Sequence, residues 1–355
     1  MSDSPSSDAT QAVRSEDAFD VAAVHSWLSE QLPDAPTSAP TVTQFPGGAS
    51  NLTYMLSYPD RELILRRPPV GTKARSAHDM VREFTVQQRL EPVFTHVPKM
   101  LALCTDPTIL GSDFYIMERV PGVILRRDAP DWLDLKPTVA RRLSEQAVDT
   151  LVQLHQVDVE SADLTELGKG PGYVARQVSG WSRRYRAART DNVPTFEAVM
   201  SWLDDNQPAD VGECLIHGDY RLDNLVLNND SLEIVALLDW ELATVGDPLM
   251  DLGNTMAYWV EEDDDVGMQL ARRQPTNLPG MLTRSEFVDR YCQAMGLSSS
   301  RWRFYEIYGL FRLAVIVQQI YYRYHLGQTS NPMFAELWRL CEYLEQRCRS
   351  LLPDS

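Results

Sequence analysis

Positive charge is scarce in this chain. Lysine and arginine total 33 against 50 aspartates and glutamates, a formal net charge of −17 over 355 residues. A nucleic-acid partner would call for a basic face, so none is expected. Net negative charge of this size serves solubility. Cysteine is sparse as well. Cys104, Cys214, Cys292, Cys341 and Cys348 are odd in number and show no C-x-x-C spacing. That argues against a zinc or disulfide framework and for reduced thiols. Residues 1–15 are rich in Ser and Asp and hold no apolar stretch, so no secretory signal is read there and a cytoplasmic location is expected. The best apolar run, 310–320, contains Arg312 and is too short to span a bilayer. It is expected to be a buried helix, with no membrane partner. Internal repeats are missing. The one acidic run, 261–265, is expected to be a solvated loop.

What is present is enough apolar material, 44%, for one or two domains with real cores. Residues 1–16 read as a polar, disordered tail. Apolar periodicity predicts a helix over 17–32, with Phe19, Val21, Val24, Trp27 and Leu28 on one face. Short strands are expected over 41–45, 52–58 and 63–67, a helix over 77–90, and further strands over 99–103 and 114–119. Beyond Pro121-Gly122 the period lengthens, and helices are predicted over 137–156, 173–190, 194–206, 284–295, 300–325 and 333–350. A strand-rich interval, 214–239, interrupts them. The expected class is α+β with two lobes: a small β-rich N-lobe over 17–118 and a large, mainly helical C-lobe over 119–355.

The most informative stretch is His217-Gly218-Asp219-Tyr220-Arg221-Leu222-Asp223-Asn224, followed by Leu238-Asp239-Trp240-Glu241. An Asp stands two residues after a His, an Asn five residues after that Asp, and a second Asp ends an apolar strand. Protein kinases write the same spacing as H-R-D-x-x-x-x-N and then D-F-G. Phosphoryl transfer explains the residue types. Asp219 would face the attacking hydroxyl as catalytic base. Asn224 and Asp239 would ligate Mg²⁺ beside the ATP phosphates. His217 is expected to hold the loop. Asp247 and Asp251, at the start of the next helix, are expected to brace it, Asp247 as N-cap ahead of Pro248.

The first lobe offers a nucleotide side. Gly47 and Gly48 would let backbone N–H groups approach phosphates, with Ser50 and Asn51 as added donors. Arg66, or its neighbour Arg67, stands on the third strand where a phosphate-binding cation is needed, with Glu83 in the next helix to hold it. The segment through Met117, Glu118 and Val120 is extended, and its backbone would meet adenine. On the acceptor side, the predicted helices over 173–190 and 300–325 are rich in Arg and aromatic residues. Arg176, Trp181, Tyr185, Glu241, Tyr322 and Arg323 are the candidate substrate contacts.

With these residues in place, the chain resembles the aminoglycoside phosphotransferase (APH)-like family of small-molecule kinases over roughly residues 40–345. The resemblance implies a bilobal, protein-kinase-like fold, with Asp219 as base and Asn224 and Asp239 as magnesium ligands. Arg66 departs from the family's usual Lys, so GTP stays open beside ATP. Gly47–Tyr54, Leu65-Arg66-Arg67-Pro68-Pro69 and Arg176-Gln177-Val178 with Trp181 and Tyr185 are similar to the kinase domain fused to some acyl-CoA dehydrogenases. That branch implies a hydroxyacyl-CoA-type acceptor. Aminoglycosides and other small alcohols are the alternative acceptors, and a nucleotide-binding pseudokinase or interaction module is the alternative of another class. A protein kinase is not expected, because the short link from Asp239 to Asp247 has no A-P-E segment and no room for an activation loop. Either a monomer or a homodimer is compatible with the sequence.

Overall fold

A computed structural model of the chain describes residues 10–46, 51–69 and 79–353. The elements run α1 (Val21–Gln31), β1 (Thr41–Gln44), β2 (Leu52–Ser57), β3 (Glu62–Arg67), α2 (Met80–Leu90), β4 (Met100–Cys104), α3 (Pro107–Leu110), β5 (Phe114–Glu118) and β6 (Val123–Ile124). Then come α4 (Pro137–His155), α5 (Tyr173–Ala188), α6 (Glu197–Asp205), β7 (Cys214–Ile216), β8 (Leu225–Leu227), β9 (Ile234–Leu237) and β10 (Thr244–Gly246). The chain closes with α7 (Pro248–Ala257), α8 (Val266–Ala271), α9 (Arg284–Met295), α10 (Trp302–His325) and α11 (Leu337–Leu351). Two compact units result: Met1–Leu125 with Asn224–Leu242, and Arg126–Asp223 with Ala243–Ser355.

In the first unit, a five-stranded antiparallel sheet has the order β1-β2-β3-β5-β4. Strand β3 is central, and period-2 alternation sends its side chains to two different cores. Leu63 and Leu65 pack with Val24 and Leu28 of α1 and with Tyr54, Leu56, Phe114 and Ile116. Ile64 packs on the other face with Met80 and Phe84 of α2 and with Met100, Tyr115 and Met117. A strand covered on both faces reads as a near-continuous apolar run, as 63–65 does. Each such side chain contributes roughly 1.5–3 kcal/mol on burial.

The expected boundary at 118/119 would have left 224–242 in the second lobe. That segment instead joins the first unit, because β6 pairs with β8 (Val123 opposite Leu227) and β8 with β9 (Leu225 opposite Leu237). The expected disordered tail is also corrected in its described part. Gln11 bridges Gln44, and the Arg14 N–H donates to the Gln44 side chain at 3.1 Å. The first long helix begins later than expected, at Val21, with Asp20 accepting from the Ala23 N–H at 3.0 Å. Residues 1–9 of the tail lie outside the described residues.

The second unit is helical around the two-stranded β7–β10 pair. Every residue of α7 is buried, and α10, 24 residues long, runs against it. The two backbones approach so closely that a Cβ on Gly309 would stand 2.0 Å from the Gly253 carbonyl oxygen, so only glycine fits there. The predicted apolar run around Leu310 is buried in this helix. Among the described residues, no helix is long and apolar enough to cross a membrane, and all five cysteines are free and buried. The acidic run 261–265 is not simply a solvated loop. Asp264 is enclosed because its carboxylate accepts from Arg284 at 2.6 and 2.9 Å and from Arg347 at 3.0 Å, while Asp265 caps α8.

Candidate functional site

Consecutive residues on β3 face opposite ways, and this separates Arg66 from Arg67. Arg66 shares the α2 face with Ile64. Its Nη1 donates to Glu83 Oε1 at 2.7 Å, and its Nη2 donates to Asp239 Oδ1 at 3.0 Å. Glu83, 1% exposed, also accepts from the Tyr115 hydroxyl at 3.0 Å and from Asn51 Nδ2 at 3.4 Å. Tyr115 stands directly opposite Arg66 in the β3–β5 register. Burial opposes the charge on Arg66, but Glu83, then Tyr115 and Asp239, hold its pKa well above the usual arginine value. Arg67 lies on the α1 face, where it donates to the Asp17 carbonyl at 2.6 Å and to the Tyr54 hydroxyl.

Asn224 and Asp239 come from neighbouring strand ends. Asn224 precedes β8, and the Leu238 N–H after β9 donates to the Asn224 carbonyl at 2.8 Å. Asp239 follows at φ +70°, a left-handed conformation that costs a non-glycine residue about 1 kcal/mol or more and that Asp tolerates better than most. Trp240 is fully buried behind it. Its Nε1 donates to the Leu237 carbonyl at 2.8 Å, and its ring meets Phe94 edge-on, which fixes the turn. An amide oxygen and a carboxylate are hard oxygen donors from adjacent positions. They suit a Mg²⁺ ion that keeps its other positions for water and phosphate. Among the described residues, no group of three or more His, Cys, Asp or Glu side chains could hold a metal by protein ligands alone.

Glu241 also belongs to the first unit. Its carboxylate accepts from Asn51 Nδ2 at 3.3 Å, and its carbonyl accepts from Arg82 at 3.0 Å. Within this unit it therefore lies among the expected nucleotide-side residues, a consequence of the hairpin's membership in the unit. Met117 is a core residue of β5. Glu118 is exposed, and its N–H donates to the Lys99 carbonyl at 2.9 Å. Val120 packs beside Ile124, Val226 and Ala236. Gly47, Gly48 and Ser50 lie outside the described residues.

In the second unit, the loop after β7 is anchored almost residue by residue. Asp251, fully buried on α7, accepts from the His217 N–H at 3.0 Å, the Gly218 N–H at 2.9 Å and His155 Nε2 at 3.2 Å. Gly218 sits at φ +79°, which glycine alone adopts without strain. Its carbonyl accepts from Arg312 Nη2 at 2.7 Å. The Asp219 N–H donates to His217 Nδ1 at 3.3 Å, and the Tyr220 hydroxyl donates to the Ala147 carbonyl at 2.7 Å. Asp247 caps α7 through the Leu249 and Met250 N–H groups and also accepts from the Val211 N–H at 2.7 Å. The side chains that leave this frame are Asp219, Arg221 and Asp223. Arg221 lies between the two carboxylates, 3.2 Å from Asp219 Oδ2 and 3.1 Å from Asp223 Oδ1, with its guanidinium over the Tyr258 ring at 4.7 Å. Burial raises the Asp223 pKa, and Arg221 lowers it.

Burial would raise the Asp251 pKa, yet the bond and charge of His155 and the His217 contacts hold it below the usual carboxylate value. A folded pKa below the unfolded one, about 3.9, contributes stability that is complete above the unfolded value. That stability is lost as pH falls through the folded value. Asp251→Ala leaves three buried donors without their acceptor and is expected to cost about 3–5 kcal/mol. Urea unfolding near neutral pH would measure this, and the gap between variant and wild type should narrow below about pH 4.

Of the expected acceptor contacts, Arg176 and Trp181 lie on α5, and Tyr322 and Arg323 lie near the end of α10, Arg323 exposed. Tyr185 does not fit the expectation. It is fully enclosed between Phe196 and Phe311, and its hydroxyl donates to the Pro194 carbonyl at 2.6 Å, so it belongs to the core. The sequence reading missed Tyr115, Arg221 and Tyr258. Arg221 stood inside the quoted motif, but its pairing with Asp219 depends on geometry that spacing does not carry.

Residues 41–304 match the family described as phosphotransferase enzyme family (APH). Mouse acyl-CoA dehydrogenase family member 10 is 34% identical over 339 residues, covering 95% of this chain and 31% of that protein. The chain spans 31–44% of the length of the curated relatives it matches. Among solved structures, a Ralstonia eutropha protein provisionally assigned as an aminoglycoside phosphotransferase superposes with a TM-score of 0.80 at 28% identity, covering 94% of this chain and 98% of that one. A thermostable aminoglycoside phosphotransferase, solved in ternary complex with AMP-PNP and hygromycin B, shares the fold at a TM-score of 0.57 and 15% identity, covering 93% and 97% of the two chains. The fold is thus the mixed α+β, protein-kinase-like fold of these phosphotransferases.

Proposed function

The chain belongs to the phosphotransferase enzyme family, and from that premise we propose that it transfers the γ-phosphoryl group of ATP to a hydroxyl of a small molecule. The observation that carries the reading is Arg66, a buried cation held at 2.7 Å by a helix carboxylate and at 3.0 Å by a strand-end carboxylate. In kinases of this fold, a strand cation paired with a helix Glu positions the nucleotide phosphates. Arg66 takes that role here, with Glu83 and Asp239 holding its fork, Tyr115 donating to Glu83, and Asn51 as a further donor. The backbone from Met117 to Val120 would meet adenine. Asn224 and Asp239 would hold Mg²⁺, which supplies neutralisation of phosphate charge.

Asp219 receives the acceptor hydroxyl. The hydroxyl oxygen forms the new bond to the γ-phosphorus as the bond to the β,γ-bridging oxygen breaks. ADP leaves, and the hydroxyl proton passes to the Asp219 carboxylate. Arg221, 3.2 Å away, keeps that carboxylate oriented, and the Asp251 anchor holds the backbone that presents it. The chain's own contribution is therefore positioning and preset charge.

For the acceptor we propose a hydroxyacyl-CoA-type compound. Its support is the likeness to acyl-CoA dehydrogenase family member 10 and the Arg- and aromatic-rich α5. An ATP-consumption screen against hydroxyacyl-CoA thioesters, aminoglycosides and amino alcohols, with Asp219→Asn as the blank, tests the proposal. Turnover above the blank with a thioester is the expected result. Turnover with aminoglycosides alone would overturn the acceptor assignment. No turnover with any hydroxyl compound, together with tight nucleotide binding, would favour a non-catalytic module.

A further inference from the structure

The second unit holds a cavity beside α5, the helix on which the acceptor reading draws. It has a volume of about 330 Å³ and lies over α5 and the start of β10. Lys169, Arg176, Arg183 and Arg184 line it, together with Tyr173 and Thr244, and no Asp or Glu is among its lining residues. In a chain with 50 acidic residues against 33 lysines and arginines, four cations lining one cavity is a local reversal of sign, with Asp210 as an acid that interacts with Arg176.

The cations are not equivalent. Arg176 is pinned as a rim, donating to the Gly170 carbonyl at 2.5 Å and to the Pro171 carbonyl. The N-terminus of α5 is already satisfied, because Asp210 accepts from the Gly172, Tyr173 and Val174 N–H groups. Helix-end amides therefore do not make this site, and the side chains do. Arg183 and Arg184 are exposed, and the Arg184 guanidinium lies over the Trp181 ring at 4.4 Å.

A second observation points the same way. Arg312 is 5% exposed, and among the described residues no carboxylate pairs with it. It donates to the Gly218 carbonyl at 2.7 Å, next to Asp219, and stands over Trp181 at 5.1 Å. An enclosed cation without a counter-charge is costly, and a bound anion relieves that cost. Arg312, on α10, does not itself line the cavity; it is linked to it through Trp181, whose ring also carries the cavity's Arg184. Thr244, on the cavity wall, is paired in register with Ile216, three residues before Asp219.

We infer that this cavity docks the phosphate-bearing end of the acceptor, so that the acceptor is a polyanion whose hydroxyl arm reaches the loop held by Arg312. The inference rests on the kinase reading above and names the chemistry of its acceptor. Guanidinium forks match phosphate bidentately, and Leu167, Val245 and the Tyr173 ring on the cavity wall offer apolar surface to the rest of the molecule.

Calorimetric titration of the full chain with inorganic pyrophosphate tests it, using Arg183→Gln/Arg184→Gln as the variant and Arg290→Gln, which loses a charge paired with Asp149 elsewhere, as the control. The double variant should bind pyrophosphate at least roughly tenfold more weakly than wild type, and the control should match wild type. AMP-PNP affinity with magnesium should be the same in all three. Lys169→Gln should weaken pyrophosphate binding in the same direction. Equal pyrophosphate affinity in the double variant, or no binding by wild type at millimolar concentration, overturns the inference and leaves the kinase reading standing. Wild-type turnover in Asp219→Asn would instead remove the kinase reading and leave pyrophosphate binding at Arg183 and Arg184 intact.

Discussion

Asp219→Asn is expected to lower kcat by roughly 10²–10⁴-fold, the usual worth of a positioned general base, and to leave nucleotide affinity within about twofold. The substitution keeps the shape of the side chain. Its backbone N–H still donates to His217 Nδ1, and Asp251 still holds His217 and Gly218. Arg221 keeps Asp223 as a partner 3.1 Å away, so no charge is stranded. Thermal stability should therefore be close to that of wild type, and the loss should fall on turnover. Steady-state kinetics with ATP and the screened acceptor, beside calorimetry with AMP-PNP, would separate the two effects. A matching loss of nucleotide affinity would move Asp219 from the reaction to binding.

Asp239→Asn is expected to weaken magnesium-dependent AMP-PNP binding by roughly 100-fold, about 2.7 kcal/mol. Asn tolerates the left-handed backbone at φ +70°, so the turn before Trp240 should persist. What disappears is the negative charge, both as a ligand for the cation and as the second partner of Arg66 at 3.0 Å. Arg66 keeps Glu83, and binding measured without divalent cation should change much less. Calorimetry with and without magnesium reads this difference. Equal losses in both conditions would show that Asp239 acts through Arg66 alone.

Local signals were the legible ones. The spacing of Asp219, Asn224 and Asp239 is written within 21 residues, so the sequence could carry it. The apolar runs of β2 and β3 predicted their strands, and Asp247-Pro248 announced the start of α7. Long-range pairing was not legible. Nothing in 224–242 shows that β8 will pair with β6, so the hairpin was assigned to the wrong unit. Period 2 put Arg66 and Arg67 on opposite faces, but choosing between them required knowing which face α2 covers. Tyr185 looked like a ligand contact because an aromatic residue on an amphipathic helix reads the same whether it faces a cleft or the core. Arg221 was overlooked because its partners are arranged by the loop's anchoring, with Tyr258 contributed from the far end of α7.

The most direct test of the account is phosphorus NMR of wild-type protein with ATP, magnesium and a hydroxyacyl-CoA thioester. The account predicts a new phosphate-ester resonance that grows in step with the loss of the ATP γ-phosphate, and no such growth with Asp219→Asn. Release of the γ-phosphate only as inorganic phosphate, or ester formation by Asp219→Asn at the wild-type rate, would contradict it.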